Sequence, residues 1–279
     1  MTVSELFEKG KSLLREQSTE NYLNEARWIF ESVFQCGREY LIFHSDDIAD
    51  DDLSALFLEK TQKRASGVPV QYVIGSWDFY GESFEVGEGV LIPSPETELL
   101  VDFALDYLKD KENPVVFDLC AGSGCIGLTV AKNRPDAKVY LVEKSPDAFA
   151  YLEKNLNNLG CKNAKAVSGD IFNGYDYFDL PEPDLILSNP PYIETADIEG
   201  LQSEVHYEPL MALDGGADGM VFYNAIAEKW LGHCSVVAVE CGEGQADSIK
   251  TLFSSIFADV YSVKDFNDIE RTVIGTERK

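Results

Sequence analysis

Positive charge is scarce in this 279-residue chain. Its 23 Lys and Arg stand against 49 Asp and Glu, a net charge of −26. Proteins that grip DNA or RNA neutralise phosphates with clustered cations, and no basic cluster here exceeds Lys63-Arg64. A nucleic-acid partner is therefore not expected, and a protein or small-molecule partner fits better. Solubility alone is the competing account of the acidity. Residues 76–279 carry most of the imbalance, with 36 acidic and 15 basic residues against 13 and 8 in residues 1–75. Long apolar runs are also missing. No stretch approaches the ~20 residues that cross a bilayer, so no membrane partner is expected. The opening MTVSELFEKGKSLLREQ is charged throughout, unlike a signal peptide, and a cytoplasmic location is the expectation. Histidine is limited to positions 44, 206 and 233, and the six Cys form no C-x-x-C pair. Neither a metal site nor a disulfide framework is expected, and the thiols should be reduced and buried. The 21 Gly and 11 Pro show no period, and 16 Phe and 13 Tyr exclude a disordered chain.

What is present divides in two, as the length leads one to expect. Thr2-x-x-Glu5 is a capping-box pattern, followed by Val3, Leu6, Phe7, Leu13 and Leu14 at helical spacing. Asn21 to Phe34 and Asp52 to Lys63 repeat the pattern, which predicts a small helical bundle. Between 67 and 95, glycines and prolines punctuate QYVIG, FYG and SFEVG, read here as short strands or a hairpin, with a helix over Glu96 to Leu108. From 114 onward strand and helix alternate: PVVFDLC, CIGLTVAKN, KVYLVEKS, DAFAYLEKNLNNLG, AKAVSGD, PDLILSNPPY, MVFYNAIAEKWL, HCSVVAVECG, QADSIKTLFSSIF, ADVYSVKD and RTVIGTE. Such alternation predicts parallel βαβ units, whose ligands bind outside the carboxyl ends of the strands.

Those ends carry Asp118 with a glycine loop, Glu143, Asp170, Asn189-Pro-Pro-Tyr192 and Glu240. Gly122 and Gly124 allow close approach of backbone to a ligand. Gly122-x-Gly124-x-x-Gly127 also matches a dinucleotide fingerprint, so an NAD-dependent oxidoreductase must be weighed. Asp118 suits a cationic amino-acid tail, reached through water or backbone amides. Glu143 suits a ribose diol on either reading. Asp170, beside Ile171 and Phe172, suits an adenine. Three successive acids fit S-adenosylmethionine better than a ligand with a pyrophosphate.

Asn189-Pro190-Pro191-Tyr192 ends the strand LILS where a transferred methyl would emerge. An amide or aromatic amine nitrogen is a poor nucleophile, so a site that methylates one should accept both N–H hydrogens and fix the plane. The Asn189 side-chain oxygen takes one hydrogen and the Pro190 carbonyl the other. The two prolines lock φ and offer no competing N–H, and Tyr192 gives a flat wall. Positioning is a large part of such catalysis. A plain two-proline turn is the bland account, and a non-catalytic binding module is a further one.

Asp118-x-x-x-Gly122-x-Gly124 together with Asn189-Pro-Pro-Tyr192 resembles the class I amino-methyltransferases. Arg64-x-x-Gly67-x-Pro69-x-Gln71-Tyr72-x-x-Gly75, Phe79-Tyr80-Gly81-x-x-Phe84-x-Val86, Val90-Leu-Ile-Pro93-x-Pro95-Glu-Thr-Glu98 and Asp265-Phe-Asn267-Asp-x-x-Arg271 resemble the protein-(glutamine-N5) methyltransferases that modify peptide chain release factors. The resemblance covers essentially the whole chain, with one departure: the family usually has Arg where this chain has Ser94. It implies an α/β fold, a seven-stranded class I methyltransferase (Rossmann-like) sheet with a small N-terminal helical bundle. The expected domains are a substrate-recognition bundle at 1–75, a hairpin linker at 76–95 and a methyltransferase domain at 96–279.

The resemblance further implies S-adenosylmethionine as cofactor, with S-adenosylhomocysteine as product. Cys120, Ala121, Ser123 and Asn189 join Asp118, Gly122, Gly124, Glu143, Asp170 and Ile171 in holding it. Asn189, Pro190, Pro191 and Tyr192 would be catalytic and bind the acceptor, the glutamine of a Gly-Gly-Gln tripeptide entering a narrow channel. Phe79 and Phe84 either line that channel or pack within the hairpin. The bundle would grip the release factor away from the site, and a monomer is expected. A ribosomal-protein glutamine is a rival acceptor. A nucleic-acid adenine is another, but it would need base extrusion and conflicts with the charge. Glu240 could face the site, but a water-facing strand-end acid is the expectation; His206 and Tyr207 are expected in a surface loop, with a mobile lid as the alternative. Asp46-Asp47 and Asp50-Asp51-Asp52 read as helix N-terminal acids, and Cys120 and Cys125 as small loop residues.

Overall fold

The structure, a computed structural model, describes residues 1–17 and 21–279. The chain forms two compact units, Met1–Trp77 with Gln202–Tyr207, and Asp78–Leu201 with Glu208–Lys279.

The first unit is built from α1 (Val3–Glu16), α2 (Tyr22–Phe34), α3 (Tyr40–Phe43), α4 (Asp51–Ala65) and α5 (Val70–Ile74). The capping box forms as expected: the Thr2 hydroxyl accepts from the Glu5 amide at 3.2 Å and the Glu5 carboxylate accepts from the Thr2 amide at 2.8 Å. Asp50 caps α4, accepting from the Asp52 and Leu53 amides. Val3, Leu6, Ile29, Phe30, Phe57, Val70 and Val73 share one apolar core. The QYVIG run is helix rather than strand. Pro69 precedes it, Gly75 ends it at φ 96°, and Val70 and Val73, three residues apart, are both buried. Arg64, only 4% exposed, is held by both oxygens of Glu25, at 2.8 and 3.0 Å, and by Glu204. A buried guanidinium needs such pairing. His206 and Tyr207 lie exposed in a 3₁₀ turn of the same unit, the Tyr207 hydroxyl reaching the Ser66 carbonyl.

The strand β1 (Ser76–Phe79) runs from the end of the first unit into the second, which contains β2 (Glu82–Glu85), α6 (Glu98–Leu108), β3 (Val115–Leu119), α7 (Cys125–Asn133), β4 (Lys138–Glu143), α8 (Pro146–Leu159), β5 (Ala164–Ser168), β6 (Leu185–Ser188), α9 (Leu210–Leu213), α10 (Val221–Lys229), β7 (Val236–Glu240), α11 (Ala246–Phe253), β8 (Phe257–Lys264) and β9 (Glu270–Arg278). Seven strands form one sheet in the order β5-β4-β3-β6-β7-β9-β8, parallel through β7 and closed by antiparallel β9 and β8. This is the seven-stranded α/β sheet the sequence predicts. Successive residues of its strands serve opposite faces. Leu185, Leu187, Val236 and Ala238 pack toward α6, α7 and α8, while Ile186, Val237 and Val239 pack toward α10 and α11. Both faces are covered, so the central strands are apolar without a break.

The β1–β2 hairpin does not present Phe79 or Phe84 to a channel. Phe79 and Phe84 are 1% and 0% exposed, meet edge to face at 6.1 Å, and join the core that contains Leu100, Val101 and Leu128. Phe79 is therefore a packing residue, because a ring enclosed on this scale has no surface left for a substrate.

Asn155 of α8 ties that hairpin to the loop after β3. Its side chain accepts from the Glu85 amide at 2.7 Å and donates to the carbonyls of Glu85 at 3.1 Å and Ser123 at 3.0 Å. Asn155→Ala strands three backbone groups in a buried place. It is expected to cost about 2–4 kcal/mol, read as a lowered urea midpoint followed by far-UV circular dichroism. A midpoint equal to that of the wild type would contradict the clamp.

Candidate active site

β3 and β6 are neighbours in the sheet although far apart in sequence, and their connections leave in opposite directions. Such a reversal opens a crevice at the carboxyl ends of the strands. Leu119 pairs with Ser188, and the Ser188 hydroxyl donates to the Leu119 carbonyl at 2.6 Å. The residues that follow, Cys120 and Asn189, therefore begin their loops side by side.

The loop after β3 turns through left-handed conformations at Cys120, Gly122 and Gly124, with φ of 60°, 57° and 83°. A side chain at Gly122 would meet nothing within 4 Å, so this stretch of backbone faces open space. Cys120, a non-glycine held at positive φ, marks local strain of the kind that collects at functional sites. Its thiol is pushed well up by burial and by the charge of Glu143, which leaves it protonated and inert. Ala121 and Ser123 are buried at 5% and 2% exposure.

The three strand-end acids take different positions. Asp118 is wholly buried. One oxygen accepts from the Gly127 amide at 2.9 Å, in the first turn of α7, and Oδ1 has no protein partner. Burial pushes its carboxyl up to about 7, against the pull of that amide, with the Glu143 charge adding to the rise. Glu143 accepts from the Gly122 amide at 2.8 Å and the Ser145 amide at 2.6 Å, so it holds the glycine loop in shape. Burial raises its pKa in spite of those amides. Asp170 accepts from the Phe172 amide and pairs with Lys144 at 2.9 Å. Burial opposes its charge, but those two partners keep its carboxyl below the usual range. Ile171 is a core residue whose carbonyl accepts from the Trp230 indole at 2.8 Å, and Phe172 stacks edge to face on Phe222.

After β6, Pro190 and Pro191 are buried and Asn189 and Tyr192 half-buried. The loop is held from behind. The Ile193 amide donates to the Leu213 carbonyl, the Gly215 amide to the Ile193 carbonyl, and the Gln245 side chain to the Tyr192 carbonyl at 2.8 Å. A Cβ at Gly215 would come within 2.8 Å of the Tyr192 backbone and 2.9 Å of the Pro191 carbonyl, so only glycine fits against the motif. Burial, then the charge of Glu240, pushes the Tyr192 phenol up beyond the range of neutral titration.

Glu240 departs from expectation. It is 3% exposed, not water-facing, because the turn Pro95–Thr97 covers the end of β7. The Thr97 hydroxyl donates to Glu240 at 2.6 Å, Asn189 Nδ2 donates to Thr97 at 3.2 Å, and Ser94 lies 3.0 Å from the Thr97 hydroxyl. Burial pushes the Glu240 carboxyl up to about 7, while Thr97, Arg271 and Asn189 draw it back. Arg271 is itself paired with Asp265 at 3.1 Å. Thr97, Gln245 and Gly215 are thus site neighbours that spacing alone did not single out, while Glu240, picked out by its strand end, is a buried neighbour rather than a solvated acid. The run Asp214-Gly215-Gly216 and the segment Pro95-Glu-Thr-Glu98 were the signals available.

The crevice thus pairs a glycine loop flanked by carboxylates with a buttressed loop that carries Asn189, two buried prolines and Tyr192. Among the described residues, no group of three or more His, Cys, Asp and Glu could hold a metal ion, and no helix is long and apolar enough to cross a membrane.

Residues 5–75 match the PrmC N-terminal domain family and residues 97–205 the methyltransferase small domain family. The chain is 36% identical over 281 residues to the release factor glutamine methyltransferase of Geobacter sulfurreducens, covering 98% of this chain and 96% of that protein. Among solved structures it is similar to the hMettl16 catalytic domain in complex with MAT2A 3′UTR hairpin 6, at TM-score 0.59 and 15% identity over 82% of this chain and 83% of that one. It is also similar to the Thermus thermophilus 16S rRNA N2 G1207 methyltransferase RsmC in complex with AdoMet and guanosine, at TM-score 0.51 and 18% identity over 73% and 50%. At those identities the two structures speak for the methyltransferase fold. The full-length match speaks for more: this chain is a methyltransferase enzyme and belongs to the release factor glutamine methyltransferase family.

Proposed function

We propose that the protein transfers a methyl group from S-adenosylmethionine to the side-chain amide nitrogen (N5) of the glutamine in the Gly-Gly-Gln motif of peptide chain release factors. The observation that carries this reading is the juxtaposition of the Gly122 loop and the Asn189–Tyr192 loop in a chain that matches a release factor glutamine methyltransferase from end to end.

The residues fit the donor. Gly122 faces open space, and Asp118 keeps one buried oxygen without a protein partner. Cys120, Ala121, Ser123 and Gly124 shape that loop, and Asn189 borders it on the neighbouring strand. When bound, S-adenosylmethionine supplies an electrophilic methyl on a sulfonium. Asp118 lies too deep for open contact and acts through its field, which a dry site preserves. Glu143 and Asp170, at the next two strand ends, offer remaining lone pairs to hydroxyl and amine donors. Ile171 and Phe172 supply the apolar side of the pocket.

The acceptor loop works by placement. An amide nitrogen keeps its lone pair in conjugation, so its plane and distance decide whether it reacts. Asn189 Oδ1 and the Pro190 carbonyl accept the two amide hydrogens. Pro190 and Pro191 hold the carbonyl still, and Tyr192 lies against the amide plane. The high phenol pKa of Tyr192 keeps it neutral. An amide nitrogen that has just taken the methyl is cationic and strongly acidic, and it releases one proton to water to leave the neutral N-methyl amide, so the site needs no strong base. The helical unit is the part proposed to grip the release factor.

Incubation with labelled S-adenosylmethionine and a purified release factor should place label on the Gly-Gly-Gln glutamine. The label should be absent when that glutamine is changed to alanine and when the enzyme carries Asn189→Ala. Label on a ribosomal protein or on nucleic acid in place of the factor would overturn the acceptor and keep the enzyme class. Gly215→Ala should lower kcat by roughly tenfold to a hundredfold while calorimetry finds S-adenosylhomocysteine binding unchanged, and an unchanged kcat would contradict the buttress. The Asp118 carboxyl, pushed up to about 7, gains charge as pH rises, and that charge favours a cationic ligand. S-adenosylmethionine affinity should therefore weaken as pH falls through about 7, and Asp118→Asn should flatten that dependence. A wild-type affinity independent of pH would contradict it.

A further inference from the structure

Hydroxyl and amide protons behind Asn189 can be counted. Thr97 has one hydroxyl hydrogen and two acceptor positions. Its hydrogen goes to Glu240 Oε2 at 2.6 Å. Ser94 Oγ, 3.0 Å from Thr97 Oγ1, must then be the donor in that contact. The remaining acceptor position of Thr97 is filled by Asn189 Nδ2 at 3.2 Å. A carboxylate only accepts, so while Glu240 is ionised Thr97 has no hydrogen to offer the Asn189 oxygen. The amide of Asn189 is thereby forced to turn its nitrogen toward Thr97 and its oxygen away from it.

We propose that Glu240 is a positioning residue which, through Thr97, fixes the orientation of the Asn189 amide so that Oδ1 meets the acceptor nitrogen. The proposal rests on the reading of Asn189 as the group that accepts an N–H of the substrate amide. An Asn turned the other way would present Nδ2–H to that N–H, two donors facing each other, and the acceptor would not seat. Oxygen and nitrogen of an asparagine are nearly the same size, so shape alone does not choose between them. The choice must come from a neighbour of set polarity, and buried Glu240 supplies it through the Thr97 hydroxyl while it is ionised, so the bias is fullest above about pH 7, where its upward-pushed carboxyl has lost its proton. Glu240 is well placed to stay fixed, being 3% exposed at the end of a strand buried along its whole length.

Glu240→Gln replaces a group that only accepts when ionised with one that donates at every pH, and Thr97→Val removes the relay at equal size. Each is expected to lower kcat for the release factor by roughly tenfold or more, with the KM for S-adenosylmethionine and the affinity for S-adenosylhomocysteine changed by less than about twofold. Thr97→Ser restores the hydroxyl and should return kcat to within about threefold of wild type. Asn189→Ala is measured alongside. Wild-type kcat in both Glu240→Gln and Thr97→Val, with Asn189→Ala inactive, would overturn the positioning role and leave the proposed function intact. Loss of S-adenosylhomocysteine binding together with activity would also overturn it, because the network would then support the sheet rather than orient one side chain. Absence of glutamine methylation by the wild type would instead remove the reading beneath it.

Discussion

The bond from the Ser188 hydroxyl to the Leu119 carbonyl closes the pairing of two strands that are consecutive in space and far apart in sequence. Adjacent strands lie about 4.8 Å apart. The glycine loop proposed to carry the donor and the Asn189–Tyr192 loop proposed to seat the acceptor are therefore brought to the same edge with little freedom between them. Parallel pairing is essential here, because an antiparallel neighbour would send its loop to the other end of the sheet. The apolar packing on both faces keeps that edge in place: Phe117, Ile186 and Val237 on one side, Val116, Leu185 and Val236 on the other. A reaction that depends on the approach of a weak nucleophile to a methyl group gains most from such rigidity.

Around this edge the polar groups divide into two sets. Asp118 and Glu143 hold amides of the glycine loop and of the helix that follows it, and Asp170 is engaged with the Phe172 amide and Lys144. Glu240, Thr97 and Ser94 stand behind Asn189, while Gln245 and Gly215 support Tyr192. Both sets contain a buried carboxyl pushed up to about 7, Asp118 and Glu240. A buried acid whose pKa is raised binds its proton more tightly in the folded state than in the unfolded one. Its contribution is most favourable at low pH and is lost as pH rises from the ordinary carboxylate range through about 7. The site thus carries a charge strain at neutral pH that a cationic ligand would relieve.

Much of this was legible in the chain because the signals are local. Thr2 and Glu5 announce a helix start, Gly160 a helix end, and the apolar runs at 115, 139, 185 and 236 a sheet covered on both faces. The glycine loop and Asn-Pro-Pro-Tyr stood out because their residue types suit ligand contact better than packing. The failures are of another kind. Gln71 to Gly75 reads as a strand because a five-residue apolar run has no period of its own, and its helical state comes from the burial of Val70 and Val73. Phe79 looked available to a substrate because sequence does not reveal that Phe84 and the sheet core enclose it. Glu240 looked solvated because the residue that covers it, Thr97, is distant in the chain. Gln202–Tyr207 joins the helical unit through Glu204 and Arg64, a pairing with no local signature.

The most direct test of this account is a crystal structure of the protein with S-adenosylhomocysteine and a release factor, in which the surroundings of the inserted glutamine can be measured. The account predicts its side-chain nitrogen within hydrogen-bond distance of both Asn189 Oδ1 and the Pro190 carbonyl, lying against the Tyr192 ring and facing the sulfur. A glutamine bound elsewhere, or one whose carbonyl oxygen rather than nitrogen faces Asn189 and Pro190, would contradict it.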